Sequence, residues 1–127
     1  MNAVLVVDDS EDVQGAVELV LETRARYLKA TTLEEASFQF VLHWDEIDFI
    51  LVDGSVPPGN LEGAAAYEPW DWVYRVRSLG YEGDIIAFSA NPSSQKKLME
   101  AGCNDEFAKG EERLERLLEL LTLSTPQ

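Results

Sequence analysis

Cysteine and histidine are almost absent from this chain of 127 residues, which contains one of each, Cys103 and His43. A single cysteine excludes an intramolecular disulfide, and one thiol with one imidazole is too few for a zinc site of the usual kind. Basic residues are scarce too, because 10 Lys and Arg face 24 Asp and Glu, for a net charge of −14. Nucleic acids and anionic membrane surfaces are bound through clustered basic side chains, so we expect neither as a direct partner.

Long apolar runs are also missing, and none of the hydrophobic stretches approaches the length of a membrane span. The segment Met1–Val4 lacks the basic residues that open a signal peptide, so we expect a cytoplasmic protein. The length and the 46% hydrophobic content predict one globular domain with one core. We expect that domain to occupy residues 1–123, followed by a disordered tail over residues 124–127.

Short apolar segments alternate with segments of helical periodicity along the chain. Strands are predicted at Ala3–Val7, Tyr27–Thr31, Ile47–Val52, Asp84–Phe88 and Asp105–Ala108. Helices are predicted to begin at about Glu11, Leu33, Pro69 and Ser93, with a last helix over Glu111–Leu121. This alternation is typical of an α/β fold, in which right-handed crossovers build a doubly wound, five-stranded parallel sheet with helices on both faces.

The helical segments also predict which side chains are buried. Thr32 and Glu35 have the spacing of a capping box, and Val41 falls on the predicted buried face of the helix that follows. In the third helix, the spacing predicts Trp70 and Tyr74 as partly buried and Trp72 as exposed.

Polar residues follow four of the five predicted strands. Asp8 and Asp9 follow the first strand, Asp53 the third, Ser89 the fourth and Lys109 the fifth. Ligands of doubly wound sheets bind outside the carboxyl ends of the strands. Three carboxylates crowded there repel one another unless a cation joins them, and hard oxygen ligands suit Mg²⁺. The lysine and the serine hydroxyl would complete a pocket for a tetrahedral dianion.

These residues and their spacing resemble the receiver domain of two-component response regulators. The matching segments are Val6-Val7-Asp8-Asp9, Leu51-Val52-Asp53 with Pro57 four positions on, Phe88-Ser89-Ala90, and Gly102-Cys103-Asn104-Asp105 leading to Lys109. The resemblance extends from Met1 to about Leu121. It implies the flavodoxin-like strand order 2-1-3-4-5.

The resemblance also implies a role for each site residue. Asp53 would be the phosphoacceptor, a carboxylate nucleophile towards a phosphohistidine. Asp8, Asp9 and Asp53 would hold Mg²⁺ together with the backbone carbonyl of Ser55.

Two further residues, Lys109 and Ser89, would bind the phosphoryl oxygens, in keeping with a transfer that depends on positioning and charge neutralisation. The implied partners are a histidine kinase or phosphotransfer protein and an output protein of unknown identity. The chain would be a monomer or weak dimer, and a switch rather than an enzyme, with slow autodephosphorylation at most.

Four features depart from the family pattern. Glu106 stands where the family usually has an aromatic residue, and Gly110 stands where it has a proline. We expect a trans peptide bond or an altered turn before Gly110, because a cis bond there would cost about 2.5–4 kcal/mol. The loop that starts at Gly54 is longer than usual, and the segment Asn91–Gln95 is shorter.

These departures favour an alternative, a degenerate receiver that acts as a phosphorylation-independent docking module. An aspartyl phosphatase would need a second acid two residues after its nucleophile, and neither Asp53 nor Asp8 has one. In a flavodoxin, Asp8 and Asp9 would repel the phosphate of the flavin.

Overall fold

The computed structural model describes residues 3–21, 25–60, 67–107 and residue 119, within which five strands and four helices alternate. The strands are β1 (Ala3–Val7), β2 (Arg26–Ala30), β3 (Ile47–Val52), β4 (Asp84–Phe88) and β5 (Asp105–Phe107). The helices are α1 (Glu11–Leu21), α2 (Leu33–Leu42), α3 (Pro69–Ser78) and α4 (Pro92–Ala101). All strand pairs are parallel and the order is β2-β1-β3-β4-β5, which confirms the predicted fold and strand order. Of the predicted helix Glu111–Leu121 the structure describes Glu119 alone, which is helical and exposed, and the predicted tail lies outside the described residues.

Alternate side chains of the interior strand β1 face two separate cores, and all five of its residues are buried. Leu5 and Val7 join the larger core with residues of α2, α3 and α4, whereas Val4 and Val6 join a smaller one with Val17 of α1. Burial on both sides is the usual condition of a central parallel strand. The prediction of helices on both faces is therefore confirmed.

The N-terminus of α2 is capped as the sequence predicts, with one difference. The Thr32 hydroxyl accepts a hydrogen bond from the Glu35 N–H at 3.1 Å. The Glu35 carboxylate accepts from the N–H of Thr31 at 2.7 Å, one residue before the expected partner. Hydrogen bonds from the Thr31 hydroxyl and N–H hold the pKa of Glu35 below its usual value.

Two predictions about the face of α3 are wrong. Trp72 is buried, and its indole N–H donates to the Ser37 hydroxyl at 3.1 Å, whereas 66% of Tyr74 is exposed. Trp70 is half-buried, as predicted. The buried face of α3 consists of Pro69, the first residue of the helix, and the positions i+3, i+4 and i+7 from it, which include Trp72 and not Tyr74.

The outer surface of α2 and α3 carries large apolar side chains. Val41, predicted on the buried face of α2, is 73% exposed. It lies close to the end of α2, where Phe38 and Leu42 are also exposed, and Leu79 is exposed just beyond α3.

Candidate functional site

Three carboxylates meet at the carboxyl edge of the sheet. Asp8 follows β1 and Asp53 follows β3; each is 2% exposed, while Asp9 is exposed. One oxygen from each of the three lies within 4.8 Å of the others. The strands β1 and β3 are neighbours paired through Val7 and Val52, so the next residue of each strand falls at the same edge. The structure thus brings together the carboxylates that the strand positions predict.

The position of Asp8 is fixed by contacts on both its backbone and its side chain. Its N–H donates to the Ala30 carbonyl at the end of β2 at 3.0 Å. Its Oδ1 accepts from the Ser10 N–H at 2.8 Å, which forms a tight turn before α1. Its carbonyl accepts from the buried side chain of Gln14 at 2.9 Å.

The loop after β3 orients Asp53 and passes close to β4. The Ser55 hydroxyl donates to Asp53 Oδ2 at 2.9 Å, and the Asp53 N–H donates to the Val7 carbonyl at 2.9 Å. Ser89 is buried at the end of β4, and a Cβ atom added to Gly54 would lie 2.7 Å from its Oγ. Glycine at position 54 therefore lets the backbone beside Asp53 approach the Ser89 hydroxyl.

The same loop also completes the N-terminus of α2. The carbonyls of Pro57 and Pro58 accept from the first two N–H groups of the helix, those of Leu33 and Glu34, at 2.9 and 3.1 Å. Gly59 follows with φ of +76°, a conformation that favours glycine. The first part of the loop is therefore held by backbone hydrogen bonds.

The donor set of this site fits Mg²⁺. The ion prefers hard oxygen ligands, usually takes few carboxylates and keeps several waters. Asp8 and Asp53 supply buried carboxylates and Asp9 opens the cluster to solvent. A divalent cation would relieve the mutual repulsion of the three negative charges.

Two other residues predicted for the site have different outcomes. Lys109 lies outside the described residues. Ser55 follows Asp53 by two positions and is exposed, and its hydroxyl contacts the Asp53 carboxylate.

Glu106, which stands at the position of the family's aromatic residue, is exposed on the edge strand β5 and pairs with Ala87 of β4. It lines a cavity of about 530 Å³ together with Ser89, Lys96 and Met99. Glu106 therefore borders an open cavity between α4 and β5.

Sequence reasoning missed Gln14, which is 1% exposed. The residue shares the buried stripe of α1 with Val17 and Leu21. A polar residue at a helical spacing of apolar ones is the signal that could have identified it.

No protein-family model and no curated protein matches the chain. Solved structures match it over nearly its whole length. A response regulator from Thermotoga maritima is 27% identical, with 97% of this chain and 96% of that chain covered at a TM-score of 0.71. The N-terminal signal receiver domain of a two-component response regulator from Bacteroides fragilis is 18% identical, with 100% and 98% covered at a TM-score of 0.72. The BeF3-activated DrrB receiver domain is 20% identical, with 95% and 94% covered at a TM-score of 0.72. The chain therefore has the fold of response regulator receiver domains, in agreement with the resemblance carried by its motifs.

Proposed function

We propose that this protein is a receiver that accepts a phosphoryl group on Asp53 and signals through contacts with other proteins. The observation that carries the proposal is the convergence of Asp8, Asp9 and Asp53, with oxygens within 4.8 Å of one another at the edge of a receiver fold. The donor would be a histidine kinase or a phosphotransfer protein.

The chemistry proposed for Asp53 is a direct displacement. A carboxylate oxygen of Asp53 attacks the phosphorus of the phosphohistidine, the new O–P bond forms as the P–N bond breaks, and the imidazole nitrogen leaves with the electron pair. Burial of Asp53 limits the access of water, so the acyl phosphate is expected to hydrolyse slowly.

The residues around Asp53 would neutralise and bind the transferred group. Asp8, Asp9 and Asp53, with the Ser55 carbonyl, would hold Mg²⁺, which when bound offsets the negative charge of the phosphoryl oxygens. We assign the Ser89 hydroxyl to the phosphoryl oxygens, because it lies beside the backbone of Gly54, the residue that follows Asp53. The family resemblance assigns Lys109 to the same oxygens.

The proposed role is that of a switch rather than a metabolic enzyme, and its output would be a protein partner. Among the described residues, no helix combines the length and apolar character that crossing a bilayer requires. Cytoplasmic location and a monomeric or weakly dimeric state remain predictions.

The exposed Glu106 favours a second candidate function, a docking module that works without phosphorylation. A buried aromatic at that position is part of the family's usual response, and a carboxylate would lose hydration and meet like charge if it moved towards an acidic pocket.

Intact-mass spectrometry distinguishes the two candidates. With Mg²⁺ and a small acyl-phosphate donor, the wild-type chain should gain the mass of one phosphoryl group, and a chelator should suppress the gain. Asp53→Asn should abolish it, whereas Asp48→Asn, on the same strand β3 but near its other end, should not. If the wild type gains no mass from the small donor or from a kinase, the docking module is the better description.

A further inference from the structure

The side chain of Gln14 lies where α1 crosses the ends of β1 and β2. Its Nε2 is 3.0 Å from the carbonyl of Val6, 2.9 Å from that of Asp8 and 3.1 Å from that of Ala30. The amide has two N–H groups for three carbonyl acceptors, so at least one hydrogen is shared. Gln14 thus joins a helix to the ends of two neighbouring strands at the residue that begins the acidic cluster.

The other end of the Gln14 amide is held by Tyr27 of β2, whose hydroxyl donates to Oε1. Burial, with smaller contributions from Glu18 and Glu11, raises the pKa of Tyr27 to about 12. The hydroxyl therefore keeps its proton at neutral pH and remains a donor. With Oε1 engaged by Tyr27, Nε2 is directed at the carbonyls.

We propose that Gln14 is a positioning residue for Asp8 as a metal ligand, and that Tyr27 orients its amide; the proposal rests on the metal site of the proposed function. Asp8 has its N–H bonded to Ala30, its Oδ1 to Ser10 and its carbonyl to Gln14. Without the Gln14 donor, the peptide that carries Asp8 loses the 2.9 Å hydrogen bond from Nε2 to its carbonyl. Groups that orient metal ligands typically change metal affinity by about 10- to 100-fold when removed.

The chain provides a matched control in Gln95 of α4, which is also a buried glutamine. Its Nε2 donates at 3.2 Å to the carbonyl of Ala87, two residues before Ser89, as Gln14 reaches Val6, two residues before Asp8. Both side chains therefore tie a helix to the strand before it. Gln14 in addition donates to the carbonyl of Asp8, a residue of the carboxylate cluster.

Isothermal titration of Mg²⁺ into the full chain tests the positioning role. Gln14→Met, which keeps the size of the side chain but removes its donors, should bind Mg²⁺ roughly tenfold more weakly than the wild type. Tyr27→Phe should lose affinity in the same direction but by a smaller factor, since the donors stay while their orientation is released. Gln95→Met should bind as the wild type does. Thermal unfolding without Mg²⁺ is measured in parallel, because a merely structural role would lower the Tm of both glutamine variants and leave Mg²⁺ affinity unchanged.

Each result is decisive for one proposal or the other. If the wild type and Gln14→Met bind Mg²⁺ equally, the positioning role is overturned and the proposed function stands. The role is also overturned if Gln95→Met loses as much affinity as Gln14→Met. If Gln14→Met does not fold, Tyr27→Phe decides, and unchanged affinity in that variant overturns the role. A wild type that binds no Mg²⁺ overturns the metal site and the positioning role with it.

Discussion

Gly54 has no side-chain carbon, and this allows the loop after β3 to approach the end of β4 closely. A Cβ there would lie 2.7 Å from both the Ser89 Oγ and the Ser94 Cβ, closer than real Cβ contacts allow. The neighbour of the proposed phosphoacceptor is therefore in contact with the hydroxyl proposed to bind the phosphoryl group. A side chain at position 54 would therefore force the loop, Ser89 or Ser94 to move.

At the same scale, Cys103 should be an inert thiol. Burial raises the pKa of Cys103 from 9.0 to about 12, so the folded protein holds the neutral thiol where an unfolded chain would lose the proton. The contribution of this thiol to the free energy of unfolding is fully present below pH 9 and is lost as the pH rises from 9 towards 12. At pH 10.5 the loss should reach about 2 kcal/mol.

Urea unfolding at pH 8 and pH 10.5 measures this loss, with Cys103→Ala as the control whose free energy of unfolding should fall less. Because the chain contains one cysteine, a thiol-specific reagent also reports on it directly. Labelling of the native protein at pH 8 as fast as that of the unfolded chain would contradict the prediction.

At the scale of helices and strands, periodicity predicted the positions of the elements better than the details of their faces. The strand β1 was predicted without error because five consecutive apolar residues suit a strand covered on both sides. The buried face of α3 was predicted wrongly, because aromatic residues occupy both sides of that helix. Only packing shows that Trp72, rather than Tyr74, enters the core.

The carboxylates of the site could be predicted because Asp8 and Asp9 follow the end of β1 and Asp53 follows the end of β3. The contact between Gln14 and Tyr27 could not be predicted, since the two residues meet only when α1 packs over β2. The helical spacing of Gln14 with Val17 and Leu21 indicates that it is buried, but it does not indicate which residues of other elements it contacts.

Trp70, near the start of α3, is placed to report on the site. It follows the long loop after Asp53, and the Lys97 ammonium of α4 lies 4.8 Å from its ring centroid. With Mg²⁺ and beryllofluoride as the phosphoryl analogue, we expect a change in tryptophan fluorescence that Trp70→Phe largely removes. Trp44→Phe should leave it, because Trp44 packs on Phe40 and Tyr81 beyond the other end of the sheet.

The same measurement tests the role of Glu106. Because its carboxylate is exposed, Glu106→Ala should leave the fluorescence change nearly intact. A loss of the change in this variant, with binding of the analogue preserved, would place residue 106 in the relay.

Over the whole molecule, negative charge exceeds positive charge by 14. The described residues form few ion pairs that would offset this excess. Arg26 pairs with Glu46 and Lys29 with Glu11, both at the surface, where such a pair contributes about 0–1 kcal/mol. Folding brings Asp8, Asp9 and Asp53 close enough for their carboxylates to repel one another.

A ligand that binds this cluster only in the folded state should stabilise the whole chain. Mg²⁺ at about a hundred times its dissociation constant should raise the free energy of unfolding by about 3 kcal/mol, measured as a rise in Tm against NaCl of equal ionic strength. Asp9→Ala should remove most of that rise and, because it relieves repulsion between carboxylates, should melt no lower than the wild type without Mg²⁺. Asp12→Ala removes an exposed acid from the first turn of α1 and should keep the full response to Mg²⁺. If Asp9→Ala without Mg²⁺ melts well below the wild type, Asp9 supports the fold itself, and its assignment as a metal ligand fails.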